Sequence, residues 1–554
     1  MDNLNKSITN LLVERMHAIE TSKDEILSAL HILLNGNYLK YDIENTIIND
    51  TKIELTEENF NNILAKLNEK TDIRKQKGVY YTPTDVSNYI IYNSIINNVS
   101  TDNNKTHNEI DSEKIIKRIG KETIEDIVYK KTFIDPTCGT GEFLVNVLNI
   151  KLKLLSCIQK EITDNDVINI CKTIYGNDID DISIDISKIR LFFELAKLLS
   201  ERDSFKKLSN IVNKQFFTED FLKNTIKIKF DVVVGNPPYV ETSQYEDKQM
   251  LKENYGNIYA HVIEKSLELL KDNGVLGFII PLSYVSTARM SKIRNIVRDS
   301  TKKQFILSFA DRPDCLFNGV HQKLNIIIAK KGKEKHQLYI SNYKHWYKNE
   351  REKLLNGRDV LLSDYYNKLY IPKIGNKIEL NIFNKIHATS QDNIYNIQSS
   401  KEKNISIYLN MRACFWIKVF INKKETGEYK ELKIKEEYAY FIHCLLNSSL
   451  FWLYWTIVSD CWHITSKELQ EFYVPKKIHN ITTYEKLALD LENKLEETKE
   501  YIGSKQVDYE YKHKNCKNEI DLIDNELAKL YKITDEELKY IKEFAINYRK
   551  GEKP

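Results

Sequence analysis

A mostly parallel α/β sheet is the expectation for the middle of this chain, and three observations carry it. Between about residues 71 and 335, apolar runs of strand length alternate with stretches of helical periodicity. One such run feeds a turn with two glycines and then a helical pattern, the arrangement found at the ligand edge of parallel sheets. Another ends in a doubled proline, which cannot continue a hydrogen-bonded strand.

In chain order, the strand candidates are residues 133–135, 174–177, 230–234, 275–280, 305–309 and 324–328, each rich in Ile, Val, Leu or Phe. The segment between the third and fourth carries a helical stripe at Ile258, Val262, Ile263, Leu267 and Leu270. Asn318-Gly319 reads as a hairpin turn between the last two strands. Residues 1–70 show helical apolar patterns (Leu11, Leu12, Met16, Ile19; Ile26, Leu27, Leu30, Leu33) and form a helical lead-in to the domain at 71–335. Residues 336–480 interleave Tyr, Trp, Lys and Asn. Residues 481–554 form a charged tail with helical stripes at Leu487, Leu491, Leu495 and at Ile520, Ile523, Leu527, Leu530.

Composition sets the outer frame. With 554 residues, 42% of them hydrophobic, the chain can bury more than one core. The formal charge of +3, from 82 basic against 79 acidic residues, announces no nucleic acid, so a DNA reader of this size must concentrate its cations on one face. Eight cysteines with no Cys-x-x-Cys pair argue against structural zinc and against a disulfide framework, and fit a reduced cytoplasm. The polar start Met1-Asp2-Asn3 is not a signal-peptide pattern. Residues 438–458 are nearly apolar, but His443 and the break at Asn447-Ser448-Ser449 read as a buried helical pair, so no membrane role is expected.

Chemistry concentrates in two motifs. Asn236-Pro237-Pro238-Tyr239 directly follows the run at 230–234. An Asn amide oxygen, a carbonyl fixed between two prolines and an aromatic face make a receptor for a flat ring bearing an exocyclic amine. Such an amine is a poor nucleophile, because its lone pair is delocalised into the ring. Hydrogen bonds to the Asn236 oxygen and the Pro237 carbonyl would draw it toward a tetrahedral geometry. A strand ended by a plain turn is the competing reading. Upstream, Asp135-Pro136-Thr137-Cys138-Gly139-Thr140-Gly141 places two glycines where a nucleotide-like ligand can approach backbone. Leu144 stands where a dinucleotide fingerprint needs its third glycine, so the loop serves some other nucleotide-like cofactor.

Together these motifs resemble the amino-group DNA methyltransferases in which cofactor motifs precede the catalytic motif and target recognition comes last. Within them the chain is most similar to the large adenine-N6 enzymes related to the modification parts of type II restriction systems, over roughly residues 74–480. The resemblance implies a Rossmann-like S-adenosylmethionine-dependent core at 71–335, a mixed, helix-rich target-recognition domain at 336–480 and double-stranded DNA as partner. The segment 77–83, with Tyr81, Thr82 and Pro83, is similar to the motif that folds over the methionine end of the cofactor. Asp178, in Tyr175-Gly176-Asn177-Asp178-Ile179-Asp180, matches the acidic residue that takes the ribose hydroxyls, with Ile179 beside it. Asp220 and Phe221 match the third motif, which receives the adenine of the cofactor; Glu219 competes with Asp220 for that place. The segment 441–475 resembles part of the recognition domains.

The family often stacks a second aromatic on the flipped base, and here Phe317 is the nearest but does not align. Three other readings stay open: cytosine-N4 methylation, a protein-glutamine methyltransferase, and a bifunctional restriction-modification enzyme. For the last, Asp508-Tyr509-Glu510-Tyr511-Lys512 offers a nuclease-like Glu-x-Lys, set against its reading as a solvated helical face. The resemblance also implies a bacterial cytoplasmic, nucleoid-associated location and a cognate restriction endonuclease as a further partner, and leaves the oligomeric state open. Basic clusters at Lys330-Lys331, Lys423-Lys424 and Lys476-Lys477 are the expected phosphate contacts.

Overall fold

The computed structural model describes residues 82–100 and 119–552, apart from 224, 318, 357–358, 366, 389–391, 400–402, 425–427 and 504–508, together with 28, 29, 32 and 33. Of the N-terminal lead-in, only those last four residues are described; they are helical, with Ala29 and Leu33 buried. The segment 77–81, including Tyr81, lies outside the described residues.

The core is a nine-stranded sheet. Its strands are β1 (Phe133–Asp135), β2 (Ile174–Asp178), β3 (Phe216–Thr218), β4 (Phe230–Gly235), β5 (Leu270–Pro281), β6 (Thr301–Phe309), β7 (Leu324–Lys331), β8 (Gln337–Lys344) and β9 (Leu361–Ser363). They lie in the order β3-β2-β1-β4-β5-β7-β6-β8-β9. The strands from β3 to β5 run parallel, and β7 enters antiparallel between β5 and β6. All six residues of β4 are buried, as an unbroken Val-rich run on a sheet covered on both faces demands.

Each expected strand is present, most of them longer than the apolar run suggested, and the helix expected from Ile258 forms as Ile258–Leu269. Two differences concern the edges. The sheet does not stop near residue 335, because β8 pairs parallel with β6 and β9 pairs antiparallel with β8. β6 and β7 do pair antiparallel, but residues 310–323 connect them, and the turn near Gly319 (φ +71°) closes only a small local bridge between Phe317 and Val320.

Beyond the sheet, a small antiparallel unit pairs Asn404–Asn410 with Tyr429–Lys435 and with Val419–Phe420. The apolar stretch near 450 forms two buried helices, Ala439–Asn447 and Ser449–Val458, with a 69° bend where Ser448 caps the second. Among the described residues no single helix is long and apolar enough to cross a membrane. The helices Ile481–Glu497 and Lys517–Tyr531 pack against Ala439–Asn447, so the tail completes the core of this region. The Glu-x-Lys segment is extended where a helical face was expected: Tyr509–Glu510 pairs with Glu500–Tyr501, with the Tyr501 and Tyr509 rings 5.5 Å apart across the strands.

Three lysines expected at phosphates are corrected. Lys424 is only 11% exposed, bonds Glu496 at 2.7 Å and lies over the rings of Phe420 and Tyr511. Lys330 and Lys331 donate inward to the carbonyls of Ser100 and of Leu267 and Leu270. Their aliphatic stems cover apolar surface while backbone oxygens take the ammonium groups, a use of lysine that a charge count cannot distinguish from solvation. Lys423, Lys476 and Lys477 are exposed.

Candidate active site

Both motifs emerge at one edge of the sheet because β1 and β4 are parallel neighbours, with Phe133 opposite Val232 and Ile134 opposite Val233. Asp135 closes β1 and is buried; its Oδ1 accepts the Thr137 amide at 3.0 Å. A Cβ built on Gly235 would stand 2.6 Å from that same oxygen, so glycine is required where β4 passes the Asp135 carboxyl. Burial pushes the Asp135 carboxyl well above the usual carboxylate range, and the nearby charge of Asp178 adds to this.

The loop after Asp135 is held from several sides. Gly139 (φ +53°) and Gly141 (φ +83°) adopt left-handed backbone, which favours glycine. The Gly139 amide donates to Asp178 Oδ2 at 2.8 Å, and the Asp180 amide donates to Asp178 Oδ1 at 3.0 Å. Asp178 therefore latches the loop after β1 to the turn after β2. Asn177 extends the same joint, its Nδ2 donating to the carbonyls of Pro136 and Glu219, each at 3.0 Å. Thus the ends of β1, β2 and β3 share one hydrogen-bonded seam. From the helix Asp181–Ala196, Ser187 donates to the Gly139 carbonyl at 2.7 Å, and Arg190 reaches both the Thr140 carbonyl and Glu142. Glu142 in turn accepts from Thr84, next to buried Thr82 and half-buried Pro83, which stands at the start of the helix Thr84–Val99.

This cradle fits S-adenosylmethionine. Ile179 is 65% exposed beside Asp178, an apolar surface open to a flat ring. The Thr137 hydroxyl oxygen is buried with no hydrogen-bond partner among the described residues, and each oxygen of Asp178 keeps a further lone pair for a donor. Cys138 is 6% exposed and its thiol is pushed well up by burial, then by Asp178 and Asp135, so it stays protonated and is no nucleophile. Pro136 completes the turn.

Asp220 lies just past β3. Its Oδ1 accepts the Leu222 amide at 2.9 Å and its Oδ2 accepts the Tyr245 hydroxyl at 2.7 Å. Phe221 is buried beneath the Lys265 ammonium, 5.3 Å from its ring centre. In the catalytic motif, Pro237 is buried, Asn236, Pro238 and Tyr239 are half-buried, and Asn236 Oδ1 is shut off from solvent. The Tyr239 hydroxyl donates to the Ile279 carbonyl at 3.1 Å, and its ring meets Tyr259 edge-on at 6.3 Å, which fixes the ring plane. Phe317 is buried.

Sequence reasoning missed Ser187, Arg190 and Tyr245. The first two lie one turn apart on a helix face and carried a weak signal. Tyr245 carried none, because its meeting with Asp220 depends on the path of the loop after Tyr239.

The Eco57I restriction-modification methylase family matches residues 172–315, from the approach to β2 through the catalytic motif to the loop after β6. The type II methyltransferase M.VspI of Vibrio sp. (strain 343) is 28% identical over 170 residues, which is 29% of this chain and 34% of that protein. The type II restriction enzyme and methyltransferase RM.Eco57I of Escherichia coli is 24% identical over 294 residues, 43% of this chain and 28% of that protein. The chain thus spans about a third of the length of the curated relatives it matches. Among solved structures, the type IIL restriction-modification enzyme MmeI in complex with DNA superimposes with a TM-score of 0.51 at 10% identity, covering 93% of this chain and 84% of that one. The fold is the α/β methyltransferase fold, which takes S-adenosylmethionine as cofactor, and the sequence similarity to restriction-modification methylases centres on residues 172–315.

Proposed function

We propose that this protein transfers the methyl group of S-adenosylmethionine to the N6 amine of an adenine flipped out of double-stranded DNA at a specific site. The observation that carries the reading is the pairing of β1 with β4, which sets Asp135 and its glycine loop beside Gly235 and the Asn236-Pro237-Pro238-Tyr239 turn. A cofactor cradle and an amine receptor at adjoining strand ends are the two halves of an amino-group methyltransferase.

Asp178, Ile179, Asp220 and Phe221 would receive the nucleoside end of the cofactor, and the turn from Asp135 to Gly141 its amino-acid end, with Thr82 and Pro83 flanking. When bound, the cofactor supplies an electrophilic methyl on a sulfonium. Asn236 Oδ1 and the Pro237 carbonyl accept the two N–H groups of the target amine and concentrate its lone pair, while the Tyr239 ring stacks on the base. Held in this way, the amine nitrogen would be poised to take the methyl carbon from sulfur, leaving a neutral thioether, and would then release its extra proton to solvent. Flipping is required because a paired amine lies inside the duplex. Positioning and hydrogen bonding carry the catalysis.

Bifunctional restriction-modification is a second reading, favoured by the likeness to RM.Eco57I. The segment that prompted it is otherwise engaged, since Lys512 pairs with both Glu500 and Glu510. Mapping modified bases in DNA from cells with and without the gene tests the proposal. N6-methyladenine at one recurring sequence is expected; N4-methylcytosine would move the target to the other base, and unchanged DNA would overturn the reading.

A further inference from the structure

Between the catalytic turn and the helix Ile258–Leu269 runs a loop, residues 240–257, that is closed at its neck. The Ile258 amide donates to the Val240 carbonyl at 2.8 Å, and the Thr242 amide donates to the Gly256 carbonyl at 3.2 Å. Arg289 holds Glu241 beside that neck through two bonds, at 3.0 and 3.1 Å. Gly256 turns there with a left-handed φ of +80°. The loop is thus fixed to the catalytic turn where it leaves Tyr239.

Its far part meets a different motif. Tyr245 donates its hydroxyl to Asp220 Oδ2 at 2.7 Å, and Asp247 pairs with Lys223. Asp220 and Lys223 belong to the turn after β3, whereas the loop leaves β4, and β2 and β1 stand between those strands. Three strand spacings amount to about 14 Å, so the loop links two motifs that the sheet itself keeps apart. Burial and then the bond to Asp220 push the Tyr245 phenol above its ordinary value, so it keeps the proton that it donates.

The Asp220 carboxyl accepts the Leu222 amide through Oδ1 at 2.9 Å. That bond alone leaves the carboxyl free to swing, whereas a second one on Oδ2, from a loop anchored at its neck, fixes the plane. A carboxylate offers about four lone-pair sites, and those not taken by Leu222 and Tyr245 then face a fixed direction. Beside them Phe221 is buried, with the Lys265 ammonium 5.3 Å from its ring centre. A fixed carboxylate next to an apolar ring discriminates between purines: it accepts from an exocyclic amine and repels a carbonyl at the same carbon.

We propose that Tyr245 is a positioning residue for cofactor recognition: by fixing the Asp220 carboxylate from the loop of the catalytic turn, it sets the preference for adenine in S-adenosylmethionine. This role rests on the reading of Asp220 as the acceptor of the cofactor's adenine amine.

The test is calorimetric titration of the full chain with S-adenosylhomocysteine and with S-inosylhomocysteine, in which a carbonyl replaces the adenine amine. Wild type should prefer the adenine form by at least about tenfold, as expected for a hydrogen bond to a charged group. Tyr245 is half-buried, and Tyr245→Phe keeps the packing of its ring while removing the hydroxyl. This variant should lose the preference several-fold, chiefly through weaker binding of the adenine form. Asp220→Asn should abolish the preference, because an amide can donate to the carbonyl. A Tyr245→Phe protein with the wild-type preference, or with both ligands weakened equally, would overturn the positioning role; if Asp220→Asn still abolishes the preference, the reading of Asp220 stands without it. A wild type that binds both forms equally, or a preference untouched in Asp220→Asn, would overturn both.

Discussion

A methyl group on Gly235 would stand 2.6 Å from Oδ1 of Asp135, so two residues a hundred positions apart in sequence share one packed contact between the cofactor loop and the catalytic turn. Gly235→Ala must push the end of β4 or the Asp135 carboxyl aside. Overpacking of this kind costs about 1–3 kcal/mol. Because the strain falls on both motifs, cofactor affinity and turnover should drop together. Calorimetry and a methylation assay check this, and a variant with normal values for both would show that the contact relaxes freely.

Asn236→Ala separates the two functions that Gly235 joins. If, as proposed, the side chain serves the target receptor and not the cradle, methyl transfer should vanish while S-adenosylmethionine binding stays near wild type. Single-turnover methylation alongside cofactor titration reads both quantities. Near-normal transfer by this variant would sink the catalytic assignment.

Asp178 latches the Gly139 and Asp180 amides in the structure, and the proposed function gives it a second job, accepting from the ribose hydroxyls of the cofactor. Asp178→Ala should weaken cofactor binding by at least about 1.5–3 kcal/mol, the range for hydrogen bonds to a charged group. The lost latch should also lower thermal stability without cofactor. Unchanged affinity in a folded variant would move the ribose acceptor elsewhere.

How much of this was legible beforehand follows from what each signal measures. Apolar runs and Gly or Pro breaks report local backbone demands, which is why the six strands, the glycine loop and the tetrapeptide could be read directly. β3 and β9 escaped because short edge strands exist through pairing with a neighbour, not through their own composition, and β8 because its polar residues break the apolar run. The lysine clusters misled for the same reason. Lys424 and Lys330 reach partners 72 and 230 residues away along the chain, and nothing local encodes those meetings.

Lys424 is expected to act on stability rather than on DNA. Lys424→Met removes a half-buried ion pair with Glu496 and the contact over Phe420 and Tyr511. A loss of about 1–3 kcal/mol in denaturant unfolding is expected, as for a hydrogen bond to a charged group left unmade. The slope of log affinity for duplex DNA against log salt should not change, since a lost phosphate contact would lower it by about 0.9. A flattened slope would return this lysine to the DNA surface.

His345 supplies a pH signature for the seam between the sheet and the C-terminal region. Its ring packs near Phe415, Trp452 and Tyr548, its Nδ1 lies 2.9 Å from the Arg312 carbonyl and donates to it, and burial brings its pKa down to about 4. The folded chain therefore refuses a proton that the unfolded chain accepts near the ordinary histidine value of about 6.5. Stability from this group is full above that value and is lost as pH falls toward 4, by up to about 1.4 kcal/mol per pH unit. Other buried histidines add slopes of the same sign, His513 among them at about 3. The check is therefore a difference: between pH 7 and 4.5, unfolding free energy should fall less steeply in His345→Gln than in wild type, by up to about one proton's worth. Parallel curves for the two proteins would mean that His345 already carries its proton in the folded state.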